Sequence, residues 1–110
     1  MARRQKPLGY NGTLVLQAIA TDVGYGFDIM RASGLPSGTV YPLLRRMEEG
    51  GLVRSRWEGN AEAAGQGRPR RRYYVLSEQG RAALKESLAR IRAQRALLDD
   101  GNAPELAHSG

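Results

Sequence analysis

The side chains best suited to chemistry in this sequence are arginines, and four of them fall within five positions. Residues 68–72 read Arg-Pro-Arg-Arg-Arg, so like charges follow one another along the chain. Such a cluster is costly unless an anionic partner neutralises it. The guanidinium is a planar fork whose paired N–H groups match a phosphate or the edge of guanine. The run therefore predicts contact with a polyanion, and the alternative is a solvated charged loop.

A second group of candidates follows helical spacing between residues 37 and 49. Four apolar residues at i, i+3, i+4 and i+7 form one helical stripe, namely Val40, Leu43, Leu44 and Met47. The opposite side carries Gly38, Thr39, Pro42, Arg45, Arg46 and Glu49, with Tyr41 at its border. A helix that enters the major groove of DNA needs such a slim start, followed by arginines that reach bases or phosphates. The alternative is a surface helix with solvated arginines.

Length, charge and composition limit the possible classes of function. The 110 residues suffice for one domain with a modest core. The formal net charge is +6, and 15 of the 17 basic residues are arginine, which favours a polyanionic partner. A GC-rich genome would also enrich arginine. The absence of cysteine excludes disulfides and thiolate metal sites, and the single histidine, His108, lies in a polar tail.

Catalysis and membrane insertion are not expected from this sequence. It has no paired acids in an apolar setting and no glycine motif that cradles phosphate, so no catalytic residue, metal or cofactor is predicted. No apolar run approaches the roughly 18 residues of a membrane span, and no apolar signal core follows the basic N-terminus. We therefore expect a soluble cytoplasmic protein.

Two helices are predicted before the arginine-bearing one. The first covers residues 11–22, with Asn11 or Thr13 as its cap. Its apolar stripe, expected in the core, is Leu14, Val15, Ala18 and Ile19. The second covers residues 25–33 and ends at Gly34, because glycine readily adopts the left-handed conformation at a helix end.

The second and third helices together form a predicted helix-turn-helix. Phe27 and Met30 of the second helix are expected in the core. After the turn at residues 35–36, the third helix covers residues 37–49, and Pro42 costs it one early hydrogen bond. Two short helices joined by a tight turn, the second with a basic outer face, constitute the helix-turn-helix pattern.

A β-hairpin is predicted directly after the third helix. Residues 52–58 alternate in polarity and read as a strand, and residues 70–77 read as its partner. Residues 59–69 form a loop of small residues without a hydrophobic anchor. A hairpin in this place is the wing of a winged helix. The predicted fold class is therefore α+β and mostly α: a winged helix-turn-helix of three helices and a two-stranded wing, with a C-terminal helix.

The last helix is predicted over residues 78–98, with Ser77 as its cap. Five residues follow the 4-3-4-3 spacing of a coiled-coil seam: Leu84, Leu88, Ile91, Arg95 and Leu98. The seam predicts packing against a second copy of the chain, and the alternative is packing on the chain's own domain. The expected organisation is a basic arm (1–10), a DNA-binding domain (11–77), a dimerisation helix (78–98) and a disordered tail (99–110).

Several of these segments together resemble a known family. They are residues 25–29 (Tyr-Gly-Phe-Asp-Ile), 37–48 (Ser-Gly-Thr-Val-Tyr-Pro-Leu-Leu-Arg-Arg-Met-Glu), 51–53 (Gly-Leu-Val) and 67–77 (Gly-Arg-Pro-Arg-Arg-Arg-Tyr-Tyr-Val-Leu-Ser), with Gly80. Over about residues 14–88 the chain resembles small PadR-type winged-helix transcriptional regulators. The resemblance implies a homodimer joined by the C-terminal helix and repression of transcription, sometimes released by a small aromatic ligand.

The residues then divide by expected role on double-stranded DNA. Thr39 and Arg45 are predicted to read bases, and Gly38, Tyr41 and Pro42 shape the approach. The predicted contacts with phosphates are Arg46, Arg68, Arg70, Arg71 and Arg72, and Ser37, Pro69 and Tyr73 complete the predicted interface. In a dimer the two helices would lie about one DNA turn apart, roughly 34 Å, so a near-palindromic operator is expected.

Three further interpretations remain open from the sequence. The basic wing could instead bind an acidic protein, which would make the chain an interaction module. Trp57 could line a site for an aromatic effector, although a lone tryptophan on a strand more often packs in a core or interface. The N-terminal arm could touch phosphates or serve only as a solubilising tail.

Overall fold

Five α-helices and a two-stranded sheet make up the part of the chain that the structure, a computed structural model, describes, which is residues 8–100. Their order is α1 (Tyr10–Ala20), α2 (Gly26–Ser33), α3 (Ser37–Glu49), β1 (Val53–Trp57), α4 (Asn60–Gly65), β2 (Arg72–Leu76) and α5 (Glu78–Asp100). The predicted fold class, three helices with a two-stranded wing and a C-terminal helix, is confirmed. The predicted arm's residues 1–7 and the tail's residues 101–110 lie outside the described residues.

The core lies where the apolar stripes of the first three helices meet the sheet. Its fully buried side chains include Val15, Leu16, Ile29, Val40, Leu44 and Val53. Each such side chain contributes about 1.5–3 kcal/mol by leaving water. The stripe predicted for α3 is buried at Val40, Leu44 and Met47, and Leu43 packs at its border. This burial determines which face of α3 remains exposed.

Two details of the first helices differ from the prediction. Neither Asn11 nor Thr13 caps α1, because the helix begins at Tyr10 and its N-cap is Gly9. Both residues therefore lie inside the first turn, where the Thr13 hydroxyl donates to the Gly9 carbonyl at 2.9 Å. Phe27 is 45 % exposed rather than in the core, since it lies at the start of α2 and its ring is 6.4 Å from the Tyr25 ring.

The turn between α2 and α3 uses the residues that the sequence indicated. Gly34 has a φ of 75° and its N–H donates to the Met30 carbonyl, so it ends α2 as predicted. Pro36 is the N-cap of α3, and its carbonyl accepts from Thr39 and Val40 at 2.9 and 3.0 Å. Pro42 lies in the second turn of α3, where it costs a single backbone bond.

The sheet pairs β1 and β2 antiparallel, from Val53↔Leu76 to Trp57↔Arg72. We call residues 53–76 the wing. On its other edge β2 is joined to the chain before α2, through a bridge of Tyr25 with Tyr73 and a 2.8 Å bond from Tyr74 N–H to the Gly24 carbonyl. Successive side chains of a strand point to opposite faces of the sheet. Ser55 and Trp57 therefore lie on the same face as buried Val53, together with their cross-strand partners Tyr74 and Arg72.

The connection between the strands is not the unanchored loop that the sequence predicted. Residues 60–65 form α4, and Ala63 is only 3 % exposed, so a small residue supplies the missing anchor. Gly67, with a φ of 65°, reverses the chain after this helix. The second strand begins at Arg72 rather than at residue 70.

The C-terminal helix is tied to the base of the wing and then extends past the core. Ser77 caps it as predicted, because its hydroxyl oxygen accepts from the Gly80 N–H at 3.0 Å. Leu84 is 6 % exposed within the chain's own core, and Leu88 packs against that core. By contrast Leu98 is 83 % exposed. The first part of the predicted seam therefore packs on its own domain, and the helix runs to Asp100.

We predict that Gly80→Ala lowers the free energy of unfolding by about 1–3 kcal/mol, because the added methyl group would overlap the backbone carbonyl of Leu52. Gly65→Ala is the matched control. It also lies in a helix, and nothing lies within 4 Å of its new methyl group, so it should be neutral or slightly stabilising. Urea denaturation at equal protein concentration measures both, and equal stabilities would contradict the proposed overlap.

Candidate nucleic-acid interface

The outer face of α3 presents the residues that the sequence assigned to it. Because Val40, Leu44 and Met47 face the core, the opposite side is in solvent. Its exposed members are Ser37, Gly38, Tyr41, Pro42, Arg45 and Arg46, and Thr39 is partly buried. Nothing lies within 4 Å of the position that a side chain at Gly38 would occupy, so the start of the helix is slim and unobstructed. Within the described residues, the side chains of Arg45 and Arg46 have no hydrogen bond or ion pair.

Tyr41 is held at the border of this face by a close approach of two helices. A methyl group added to Gly26 would lie 2.9 Å from Cε1 and 3.2 Å from the hydroxyl oxygen of Tyr41. The absence of a side chain at Gly26 therefore lets the Tyr41 ring pack against the start of α2. The ring remains 43 % exposed, so its outer edge is accessible to a partner.

Arg68 of the arginine run is paired within the protein. Its two terminal nitrogens donate to both carboxylate oxygens of Glu58, at 2.5 and 2.8 Å. Glu58 is 5 % exposed and also accepts from the Arg71 N–H at 3.3 Å. The hydrogen bond from Arg68 lowers the pKa of Glu58 although burial raises it, and the same bond raises the pKa of Arg68. Both groups are thus charged, and a partly buried ion pair closes the end of the wing.

Arg72 is also paired, and its partners lie on two other elements. Its Nη2 donates to Oε1 of Glu48 on α3 at 3.0 Å, and its Nε donates to the Ser55 hydroxyl on β1 at 3.0 Å. The Ser55 hydroxyl donates in turn to Oε2 of Glu48 at 2.5 Å. We call these three residues the α3–wing cluster. Its bonds join the C-terminal half of α3 to both strands of the wing.

Arg71 and Arg70 both lie against aromatic rings, and of the two only Arg70 is exposed. The Arg71 guanidinium lies 4.4 Å from the centre of the Tyr25 ring, in the geometry of a cation–π contact. The Arg70 guanidinium carbon lies 5.4 Å from the centre of the Trp57 ring, which is itself 53 % exposed. Of the four arginines, Arg70 is therefore the one that is exposed and has no carboxylate partner among the described residues.

The remaining predicted wing residues, Pro69, Tyr73 and Trp57, differ in how far their side chains are exposed to solvent. Pro69 is exposed, whereas Tyr73 is half-buried with its ring 6.0 Å from that of Tyr25. Tyr73 therefore supports the wing against α2. Trp57 projects from the wing face that carries Ser55, so it lies on the side of α3. An open groove between β1 and the start of α5 is lined by other residues, Trp57 not among them.

Four functional candidates were missed by the sequence reasoning. Arg54 and Arg56 are exposed on β1, and the polar–apolar alternation of residues 53–57 was a sufficient signal for them. Glu48 and Glu58 hold two arginines of the run. Their partners lie 24 and 10 residues away in sequence, and no periodic pattern marks such a pair.

The model of the transcriptional regulator PadR-like family matches residues 15–86, from the middle of α1 to the first half of α5. The chain belongs to the PadR-like family. This PadR-like protein is therefore a DNA-binding regulator of transcription, in a family of regulators rather than enzymes. No curated protein matches its sequence.

Solved structures similar to this PadR-like regulator include two PadR family proteins. The one from hypervirulent Clostridium difficile R20291 has 28% sequence identity and a TM-score of 0.68, over 83% of this chain and 96% of that chain. The one from Eggerthella lenta DSM 2243 has 29% identity and a TM-score of 0.54, over 90% and 85%. The PcaV transcriptional regulator from Streptomyces coelicolor, solved with its natural ligand, shares the fold at 16% identity and a TM-score of 0.74, over 94% and 69%.

Membrane-spanning helices and clusters of metal-binding side chains are both absent from residues 8–100 of the regulator. None of the helices there combines the length and the apolar character needed to cross a membrane. In the same range, no group of three or more histidine, aspartate or glutamate side chains could hold a metal ion.

We predict that the Glu58→Gln variant is less stable than the wild type at pH 7, and that the difference shrinks in acid. The folded-state pKa of Glu58 lies below its ordinary value of 4.5, so its contribution is present above pH 4.5 and disappears as the pH falls through the lower folded value. Denaturation at pH 7, 5, 4 and 3 measures the difference. Glu86→Gln, at an exposed site on α5, is the control, and a pH-independent gap for Glu58→Gln would contradict the assignment.

Proposed function

We propose that the chain is a homodimeric repressor that binds a near-palindromic operator in duplex DNA. The observation that carries this proposal is the exposed, slim and cationic outer face of α3 beside a wing that presents Arg70. Arg45 and Thr39 read base edges, and Gly38, Tyr41 and Pro42 shape the approach. The chain acts on chromosomal DNA and therefore works in the cytoplasm.

The phosphate contacts are assigned by which arginines lack a partner. Arg46 and Arg70 are exposed and have no carboxylate partner among residues 8–100, so both are available to phosphate oxygens. Arg68 would first have to break its two-pronged bond with Glu58. Arg54 and Arg56 add positive charge on the opposite face of β1, which strengthens the general attraction to DNA.

Dimerisation is assigned to the outer part of α5. Leu84 and Leu88 are used within the chain's own core, which leaves Ile91, Arg95 and Leu98 of the predicted seam. Leu97 and Leu98 are 46 % and 83 % exposed, and a second copy would cover this apolar surface. A two-fold dimer of this kind would place the two α3 helices about 34 Å apart, in successive turns of the major groove.

A ligand-sensing role is a second candidate. The PcaV regulator, which shares the fold, was solved with its natural ligand, and an exposed tryptophan suits a planar aromatic effector. Trp57 is the single tryptophan of the chain, so quenching of its fluorescence reports binding directly. Absence of quenching across a broad panel of planar aromatic compounds would remove this candidate.

Selection of bound sequences from a random duplex pool tests the main proposal. We expect one enriched sequence with two related half-sites, and binding that weakens steeply with salt. If the chain were instead a module for acidic protein partners, no sequence would be enriched and duplex DNA would give no footprint. Reporter transcription from the selected site then distinguishes repression from activation.

The Arg45→Ala and Arg70→Ala variants should affect DNA binding differently. Arg45→Ala is expected to cost about 1–3 kcal/mol on the selected operator and to relax base preference. Arg70→Ala should weaken cognate and random duplexes alike and lower the salt slope by about 1. Titrations at several salt concentrations measure both quantities. Identical effects of the two variants would show that α3 and the wing do not divide the work in this way.

Leu98→Glu should weaken self-association about tenfold or more, because two buried leucines each contribute roughly 1.5–3 kcal/mol. Sedimentation equilibrium measures the dimer dissociation constant. Ala89→Glu adds the same charge at an exposed position of α5 away from the seam and should leave the dimer intact. Equal effects of the two variants would place the interface elsewhere.

A further inference from the structure

We propose that Glu48 is a positioning residue for DNA recognition, which holds the wing at a fixed angle to α3 through Ser55 and Arg72. The inference rests on the proposed DNA-binding function and assigns a role to an acidic residue at the edge of a cationic surface. It also removes Arg72 from the set of phosphate contacts, although Arg72 belongs to the arginine run.

The α3–wing cluster is a closed set of three hydrogen bonds between three elements. Arg72 uses Nε and Nη2 of its fork, one on Ser55 and one on Glu48. Ser55 completes the ring by donating to the second carboxylate oxygen of Glu48. Both oxygens of Glu48 are therefore occupied, and its side chain is 33 % exposed against 41 % for Arg72. Hydrogen bonds between charged groups in such partly buried geometry are stronger and more directional than neutral ones.

The position of the cluster along the wing is what gives it a positioning role. The chain passes from α3 to β1 through Gly50 and Gly51, and Gly51 has a φ of 80°. Val53, the first residue of β1, is the last one on that strand to be fully buried. Beyond it, no side-chain hydrogen bond other than those of the cluster joins α3 to the wing within residues 8–100.

A small rotation of β1 at this glycine turn would displace the far end of the strand more than its start. Trp57 lies four residues beyond Val53, which is about 13 Å along an extended strand. Ser55 is halfway along β1, so the cluster attaches the wing to α3 beyond the last buried residue of that strand, while β2 is held on its other edge by Gly24 and Tyr25. Without the cluster, the wing would be held on the β2 edge alone and could tilt relative to α3. The distance between Arg70 and Arg45 would then be less closely fixed, and the two would match a phosphate and a base edge less well.

The charge of Glu48 makes this role separable from a general electrostatic one. A carboxylate near DNA repels phosphates, so its removal alone would strengthen binding to every duplex. If Glu48 positions the wing, Glu48→Gln should instead reduce the preference for the operator over random DNA by roughly tenfold, the scale of a lost charged hydrogen bond. Release of Arg72 should at the same time raise the salt slope on random DNA by about 1.

Two other variants sharpen the comparison. Ser55→Ala keeps every charge and removes the hydroxyl that links Glu48 with Arg72, so it should reduce the operator preference without changing the salt slope. Glu86→Gln removes the same charge from an exposed position of α5, outside both the cluster and the DNA-facing side of α3. It should change operator and random binding by the same factor and leave the preference unchanged.

The experiment combines titrations of wild type and variants against operator and random duplexes with time-resolved fluorescence anisotropy of Trp57 in the free protein. Trp57 is the single tryptophan and lies at the end of β1, so loss of the cluster should add a fast local depolarisation in Glu48→Gln and Ser55→Ala but not in Glu86→Gln. Circular dichroism and the unfolding midpoint confirm that each variant is folded.

Three outcomes would overturn the inference. The first is a parallel gain for both duplexes in Glu48→Gln, the behaviour of a merely repelling charge. The second is an unchanged Trp57 depolarisation in both cluster variants. The third is a fall of about 1 in the salt slope of Arg72→Ala with its operator preference intact, which would return Arg72 to the phosphates. Failure of the wild type to select any duplex would refute the proposed function instead, and the anisotropy arm would still decide whether the cluster fixes the wing.

Discussion

The structure of the wing depends on how four neighbouring arginines coexist. In water their charges would repel one another, and the repulsion would spread the strand end that carries them. Two carboxylates prevent this. Buried Glu58 forms an ion pair with Arg68, and half-buried Glu48 forms one with Arg72. The Arg71 guanidinium lies over the Tyr25 ring, and Arg70 remains in solvent. Pairing thus turns a diffuse cationic stretch into a surface with one projecting cation at a defined place.

A defined place matters because a hairpin by itself is a flexible ribbon. A two-stranded hairpin has few apolar contacts and is marginally stable alone. Here the ribbon is fixed at three points along its length. Tyr73 and Tyr74 bond to the chain before α2, Ser55 and Arg72 bond to α3, and Ala63 anchors α4 at the far end. The order that results is what a paired contact with base edges and phosphates requires, since both ends of the contact must be positioned before DNA arrives.

The sequence revealed the features that repeat and hid those that join distant residues. The bounds of α3 and the burial of Val40, Leu44 and Met47 followed from apolar spacing, because spacing encodes which face is covered. Helix α4 was missed because its anchor, Ala63, is a small residue that does not stand out as apolar. The bonds of Glu58 and Glu48 span 10 and 24 residues, so only the fold brings their partners together. For that reason the sequence pattern predicted phosphate contacts for Arg68 and Arg72 as well as for Arg70.

The same base of the wing also receives the helix assigned to dimerisation. The Leu52 carbonyl accepts from the Ser77 N–H and hydroxyl, both at 3.0 Å, and Gly80 packs against that carbonyl because it has no side chain. The start of α5 is therefore bonded to the turn that joins α3 to β1. In the proposed dimer, a change in the tilt of α5 would reach the wing through Leu52 and Ser77 as well as through the core contacts of Leu84. The distance between two α3 helices and the angle of each wing would then vary together, so the half-site spacing and the contacts within each half-site would be physically coupled.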